Sequence, residues 1–351
     1  MLAYVVHEAG GPEALVAQEW PDPEPAADWV TIAVKAFGLN RAEAVTRAGG
    51  SGDAVPFPRV IGIEAVGEVV DGGGTDLAPG TPVATAMGGL GRQHDGSYAA
   101  FTQARRSHVF PLQIPNGADG SPLPWATVAA VPETFVTALG CLRVAGVLDA
   151  DRPDSIVAAD PSTPPRVLMR PGASALGLAV AQIVADLGGE TIGVTRSATK
   201  APALLAGGMT DVLVTAPGAS GVADAVTARW TDGATAVIDT VASDESLADD
   251  LAALAPGGRV AIAGSLAASY GTAAAGSVGG FMSRPDVDFF SSEEIHTDTE
   301  TALVNEVLAG LASGRFAAGI DSVIGFDELV DAHRSMEANA YAGKVVVDLS
   351  R

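Results

Sequence analysis

From residue 29 onward, apolar and polar positions alternate. "WVTIAVKAFGL" has the period of two expected of a half-buried strand, and "VIGIEAVGEVVD" and "GTPVATAM" repeat it, with Gly and Pro between them. "PEPAADW" and "PNGADGSPLPW" read as loops. Residues 1 to about 125 are expected to form a compact, mostly β region.

Near residue 127 the period changes. "PRVLMR" reads as a short apolar strand, and "SALGLAVAQIVADLGG" as a helix that is apolar on nearly all sides. "TIGVT", the helical "KAPALLAGG" and "DVLVT" follow. "TAVIDTV" and "GRVAIAGS" add two strands around the helical "ESLADDLAALAPGG". Strands alternating with helices predict a parallel sheet covered on both faces. A helix near 299–314 and "FDELVDAHRSMEANAYAGKVVVDL" lead into a final strand, while "DADRPDSIVAADPSTPPR" (149–166) reads as an exposed insertion. No internal repeat is visible.

Composition narrows the reading. A chain of 351 residues, 48 % apolar with 42 glycines, suits two domains with sizeable cores and many tight turns. The net charge of −22 disfavours nucleic acid and anionic membranes as partners, and an anionic cofactor would need a local basic pocket. No run approaches the roughly 18 apolar residues that span a bilayer, and the start "MLAYVVHEAGG" lacks the pattern of a signal peptide, so a cytoplasmic location is expected. A single cysteine, Cys141, excludes an intramolecular disulfide and a four-cysteine zinc site. Its apolar helical setting marks it as a core residue.

Candidate chemistry begins at the turn Pro171-Gly172-Ala173-Ser174-Ala175-Leu176-Gly177. A glycine-bearing turn between strand and helix points backbone N–H groups and the positive helix end at a diphosphate. The same turn also suits helix–strand packing. The second strand then ends in Thr195, Arg196, Ser197 and Lys200, with no carboxylate for a ribose 2′-hydroxyl. A guanidinium, an ammonium and two hydroxyls suit a 2′-phosphate, which favours NADPH over NADH. Lys occurs only at 35, 200 and 344, so Lys200 here stands out.

On "GLNRAEAVTRAGG" (38–50), "PFPRVIGIEAVGEVV" (56–70), "MGGLGRQHDGSYAAF" (87–101), "VPETFVTALGCL" (131–142), "VTRSATK" (194–200) and "AGKVVVDL" (342–349), the chain resembles the medium-chain dehydrogenase/reductase superfamily. Within it, the zinc-independent quinone oxidoreductase (zeta-crystallin-like) group is the nearest resemblance. The resemblance implies a GroES-like, mostly β catalytic domain (1–126 and 296–351) and a doubly wound α/β Rossmann domain (127–295). It implies homodimers paired through Rossmann sheet edges, with "VDFFSS" near 287–292 as a candidate edge. It carries roles to Asn40, which would orient a substrate carbonyl, and to Thr137, which would line the cofactor channel. Gly264, Ser265 and Leu266 would meet nicotinamide through backbone, and Asn339 and Lys344 lie in a tail that reaches the cofactor. Two departures stand at Pro171 and Ala175, where relatives carry glycine: Pro171 removes a donor and the Ala175 methyl can push a diphosphate outward. A third, Ala100 where relatives often carry glutamate, has no assigned meaning.

Zinc-dependent members carry a histidine before the glutamate of "VIGIEAVG"; here Ile63 precedes Glu64. His7, His94, His108, His296 and His333 show no metal-ligand spacing, so no metal is expected and simple alcohol oxidation is disfavoured. The expected reaction is transfer of hydride from NADPH to a quinone or activated enone, driven largely by positioning. Asn40, backbone N–H groups or Arg92 would meet charge on the acceptor oxygen, and Tyr98 or water would supply a proton. Arg47, Arg92 and Tyr98 also suit surface or loop-anchoring roles. An enoyl or 2-alkenal double-bond reductase of a biosynthetic pathway and a non-catalytic NADPH-binding sensor are the alternatives.

Overall fold

The structure, a computed structural model, describes residues 1–216, 221–264, 266, 286–294 and 297–351. The chain divides into two units: Met1–Glu133, Glu293–Gly314 and Ile320–Arg351 form the first, Thr134–Ser292 and Arg315–Gly319 the second.

In the first unit, β1 (Leu2–Val6) pairs antiparallel with β2 (Leu15–Glu19) and with β4 (Arg59–Val60) in a three-stranded sheet. The alternating segments become β3 (Trp29–Gly38), β5 (Glu64–Asp71) and β6 (Pro82–Ala86), joined by β7 (Phe101–Arg105) and β8 (Val109–Pro111). Helix α1 (Arg41–Arg47) follows β3 directly. Val30, Ile32, Val69 and Val83, the inward positions of these strands, pack into one fully buried cluster. Burying each such side chain stabilises by about 1.5–3 kcal/mol, which fixes the register. Helices α2 (Trp125–Val128) and α3 (Pro132–Val144) come next. The stretch Trp125–Val144 is long and apolar enough to cross a membrane, yet 78 % of it is buried within the protein, as in a core helix.

The second unit holds six parallel strands: β9 (Arg166–Arg170), β10 (Glu190–Thr195), β11 (Asp211–Val214), β12 (Ala234–Asp239), β13 (Leu254–Ile262) and β14 (Val287–Phe289). Their order is β11-β10-β9-β12-β13-β14, so the winding reverses between β9 and β12. Crevices at such reversals, beyond the carboxyl ends of the strands, are the usual ligand sites of doubly wound sheets. Helices α4 (Ala175–Asp186), α5 (Ala201–Ala206), α6 (Val222–Arg229) and α7 (Asp244–Ala252) fall between the strands. Leu178, Val180, Ala181 and Ile183 of α4 are all buried, which accounts for its unbroken apolar sequence. Cys141 is buried on α3. The chain then returns to the first unit through α8 (Thr297–Ser313), β15 (Ile320–Ile324), α9 (Leu329–Glu337) and β16 (Lys344–Asp348). There β16 pairs antiparallel with β3, bringing residues more than 300 apart in sequence into register at Val346 and Gly38.

Candidate functional site

In the first unit the polar residues between β3 and α1 enter one buried hydrogen-bonded network. Asn40 precedes α1, and Glu43, three residues on, reaches back: its Oε2 accepts the Asn40 N–H at 2.7 Å. Glu43 Oε1 accepts the Ile63 N–H at 3.0 Å, and Tyr98 donates its hydroxyl to Oε2 at 2.7 Å. Glu43 is 1 % exposed. Burial pushes its carboxyl upward, against the lowering effect of those hydrogen bonds.

Glu64, the first residue of β5, is the second carboxylate of the network. Its Oε1 accepts Lys344 Nζ at 2.5 Å and Asn40 Nδ2 at 2.9 Å, and its Oε2 accepts the Glu133 N–H at 2.9 Å. Lys344 Nζ also donates to Asn40 Oδ1 at 2.8 Å. Glu64 and Lys344 are each 1 % exposed. The pairing is possible because residue 38 is glycine: a Cβ there would lie 2.6 Å from Glu64 Oε1 and would overlap the end of the Lys344 chain.

Tyr98 continues the network toward α9. Its oxygen lies 2.8 Å from His333 Nε2, and His333 Nδ1 lies 2.8 Å from Arg47 Nη1. A guanidinium only donates, so Nδ1 accepts and Nε2 carries the imidazole hydrogen, directed at the Tyr98 oxygen. Burial, and then the adjacent Arg47, depresses the His333 pKa to about 3, so the ring is neutral. Arg47 is fully buried and pairs with Glu337.

These contacts bear on three expectations. Tyr98 is 0 % exposed, its hydroxyl is held between Glu43 and His333, and burial with Glu43 raises its pKa well above the ordinary tyrosine value, so its proton is committed to Glu43 in this structure. Lys344 is enclosed by Glu64 and Asn40 and presents no surface to a cofactor. Arg47 lies wholly inside rather than at the surface, and it anchors the loop at Gly10 by donating Nε to that carbonyl at 3.2 Å. Asn40 keeps partial exposure. Arg92 is partly exposed and ion-paired with Glu293 at 3.2 Å. Asn339 is exposed, in the left-handed conformation (φ 54°) just after α9, and accepts from Arg41 at 2.7 Å.

The second unit carries the glycine turn. Gly172 donates its N–H to the Val194 carbonyl at 2.7 Å, and a Cβ on it would lie 2.8 Å from Gly193 Cα. A Cβ on Gly177 would sit on the Gly172 carbonyl oxygen. Both glycines thus serve close strand–helix approach. Ser174 caps α4, accepting the Gly177 N–H at 2.9 Å and donating to the Pro171 carbonyl at 2.8 Å. The N–H groups of Ala175 and Leu176, at the first two helix positions, have no acceptor within the helix. At the end of the neighbouring β10, Thr195 is buried and its Oγ1 accepts the Ser197 N–H at 3.2 Å. Arg196 is exposed, and Ser197 and Lys200 are partly so. Thr137, on α3, is partly exposed. Gly264 has a φ of 98°, Leu266 spends its N–H on the Thr240 carbonyl at 2.8 Å, and Ser265 lies outside the described residues.

Beside the turn, Arg170 ends β9 with Nη2 2.9 Å from Asp250 Oδ1. The pair is poorly aligned for a hydrogen bond, so the attraction is one of charge. Asp250 and Asp239 are both 0 % exposed. Burial, then repulsion from Asp239, raises the Asp250 pKa well above the usual carboxylate value. Asp239 accepts the N–H groups of Val241 and Ala242 and the Ser246 hydroxyl, anchoring the start of α7.

At Ile63 and Glu64 the donor set does not fit a catalytic zinc. Ile63 stands where zinc-dependent dehydrogenases place histidine, and it is buried and apolar. Glu64 spends both oxygens on Lys344, Asn40 and Glu133. Among the described residues no group of three or more His, Cys, Asp or Glu side chains is placed to hold a metal ion.

Residues 26–137 match the alcohol dehydrogenase GroES-like domain family, and residues 215–347 match the zinc-binding dehydrogenase family. No curated protein matches the sequence. Among solved structures, the chain is similar to an Escherichia coli quinone oxidoreductase complexed with NADPH, with 20 % identity, TM-score 0.79, and 99 % of this chain and 100 % of that one covered. It is similar to the yhdH oxidoreductase of Salmonella enterica in complex with NADP (20 % identity, TM-score 0.77, 99 % and 100 % covered). It is also similar to an NAD-dependent alcohol dehydrogenase (23 % identity, TM-score 0.76, 99 % and 100 % covered). Two domain families in the same order, on this two-unit fold, give one conclusion: the chain belongs to the medium-chain dehydrogenase/reductase superfamily of oxidoreductases.

Proposed function

We propose that this protein is an NADPH-dependent reductase that transfers hydride to a quinone or activated enone without a metal. The observation that carries the cofactor choice is the end of β10. There Arg196, Ser197 and Lys200 are accessible and no carboxylate stands among them, next to a helix whose first N–H groups have no acceptor within it. That donor set fits a diphosphate at the start of α4 and a 2′-phosphate beside Arg196 and Lys200. NADPH, when bound, supplies the hydride. Two of the solved relatives were obtained with NADPH or NADP, which supports the same choice.

The chain's own part is to bind, orient and polarise. With Tyr98 and Lys344 enclosed, Asn40 is the partly exposed polar member of its network beside β3, and it is the group we assign to the acceptor oxygen. An oxygen of moderate basicity, such as that of a quinol, needs little more than a hydrogen-bond donor and solvent water for its proton.

Calorimetric titration of NADPH and NADH tests the cofactor assignment. Wild type is expected to favour NADPH, and Arg196→Ala with Lys200→Ala to weaken NADPH binding roughly 10- to 100-fold, as loss of charge-assisted contacts implies. NADH binding should stay within a few-fold. Equal losses for both cofactors, or none, would overturn the 2′-phosphate assignment.

A further inference from the structure

The Asn40 amide is held on both of its polar atoms by partners that permit one orientation only. Lys344 Nζ can only donate, so the atom 2.8 Å from it is the amide oxygen. The Glu64 carboxylate oxygen accepts, so the atom 2.9 Å from it is the amide nitrogen. Lys344 and Glu64 are themselves paired at 2.5 Å, which closes a three-membered ring of contacts. One Nδ2 hydrogen is thereby spent on Glu64. The remaining Nδ2 contacts, to the Gly38 carbonyl at 3.4 Å and Glu43 Oε1 at 3.5 Å, are long and weak. Asn40 is partly exposed whereas Lys344, Glu64 and Glu43 are buried. Among the described residues the second Nδ2 hydrogen thus has only these two long contacts, on the one member of the ring that is partly exposed.

We propose that Lys344 and Glu64 are positioning residues, which lock the Asn40 side chain so that its second Nδ2 hydrogen is presented as the donor to the substrate oxygen. The assignment of a substrate to Asn40 rests on the reductase reading above; the lock itself does not. Glu43 supports it from the backbone side, holding the Asn40 and Ile63 N–H groups with one carboxylate. A donor fixed before the reaction reorganises little as charge develops on the acceptor, and this is where such a lock acts. It is expected to act on turnover, because a donor ordered in advance stabilises the charge that develops on the acceptor during the reaction.

The test combines kinetics with a spectroscopic signature. Asn40→Ala, Lys344→Met and the double variant are compared for kcat and for KM toward NADPH and acceptor. Lys344→Met is expected to lower kcat about tenfold, the scale of one charged hydrogen bond, with KM for NADPH within twofold. In the Asn40→Ala background the same substitution is expected to change kcat less than twofold. An equal loss in both backgrounds would overturn the proposal, because Lys344 would then act independently of Asn40. The chain has only four asparagines, so selective ¹⁵N labelling of that residue resolves the side chain directly. Wild type is expected to show one downfield, slowly exchanging Asn40 amide proton and one ordinary proton. Two ordinary, rapidly exchanging protons would overturn the lock without any variant having to fold. Absence of turnover on every acceptor with the resonance pattern intact would sink the reductase reading and leave the positioning claim standing.

Discussion

Single residues set the acid and alkaline behaviour of this protein. His333 titrates near 3 when folded against 6.5 when free, so the unfolded chain binds the extra proton between those values. Stability is therefore full above pH 6.5 and falls on acidification, by roughly 1.4 kcal/mol for each unit below it from this residue. Asp250 has the opposite sign. Its pKa is raised in the fold, so its contribution is present below the unfolded carboxylate value of 3.8 and is lost as pH rises toward the folded value. Asp250→Asn removes this titration at nearly constant volume. Thermal unfolding followed upward from the unfolded carboxylate value of 3.8 is expected to show wild type losing more stability with rising pH than Asp250→Asn. Parallel losses would mean that the fold does not raise the Asp250 pKa. Little of this is legible from residue types: nothing local to Glu64 points to Lys344, 280 residues away, and Tyr98 reads as a possible acid. Arg47 and His333 are 286 residues apart, and no local pattern announces their contact. Asn40-Arg41-Ala42-Glu43 did carry a signal, the spacing of a capping box, which would have found Glu43.

At the scale of elements, periodicity was the reliable guide. The alternating segments became β3, β5 and β6, and the strand–helix succession from β9 to β13 followed in order, because burial imposes a period on every such element. β1 and β2 were not singled out, since one half of their pair is exposed and the pattern is diluted. The glycine turn shows why a motif and its use differ: Gly172 and Gly177 are required by packing whether or not a diphosphate binds. Gly177→Ala is expected to destabilise by about 2 kcal/mol, through overlap with the Gly172 carbonyl, and to weaken NADPH binding with it. Ser174→Ala removes only the cap and is expected to cost about 1 kcal/mol. Denaturant unfolding of both variants checks the order. A neutral Gly177→Ala would show that the turn has room the structure does not give it.

For the whole molecule, the two-unit α/β architecture followed from a change of hydrophobic period, while the network around Glu64 depended on β16 returning from the far end of the chain to pair with β3. A buried ion pair and a neutral imidazole are poor sources of stability by themselves, since desolvation offsets most of their attraction. Their retention around Asn40 is better explained by orientation than by stability. At Ile63 the side chain is buried and apolar, and beside it this unit encloses a lysine and leaves Asn40 partly exposed.

The most direct test of metal-free, NADPH-dependent reduction is NADPH consumption by chelator-treated protein against a panel of quinones and enones, with NADH in parallel. The structure predicts turnover that survives chelation and favours NADPH, the preferred acceptor separating quinone reduction from double-bond reduction. Activity abolished by chelation and restored by zinc would contradict it, and NADPH binding without turnover on any acceptor would identify a cofactor-binding protein rather than an enzyme.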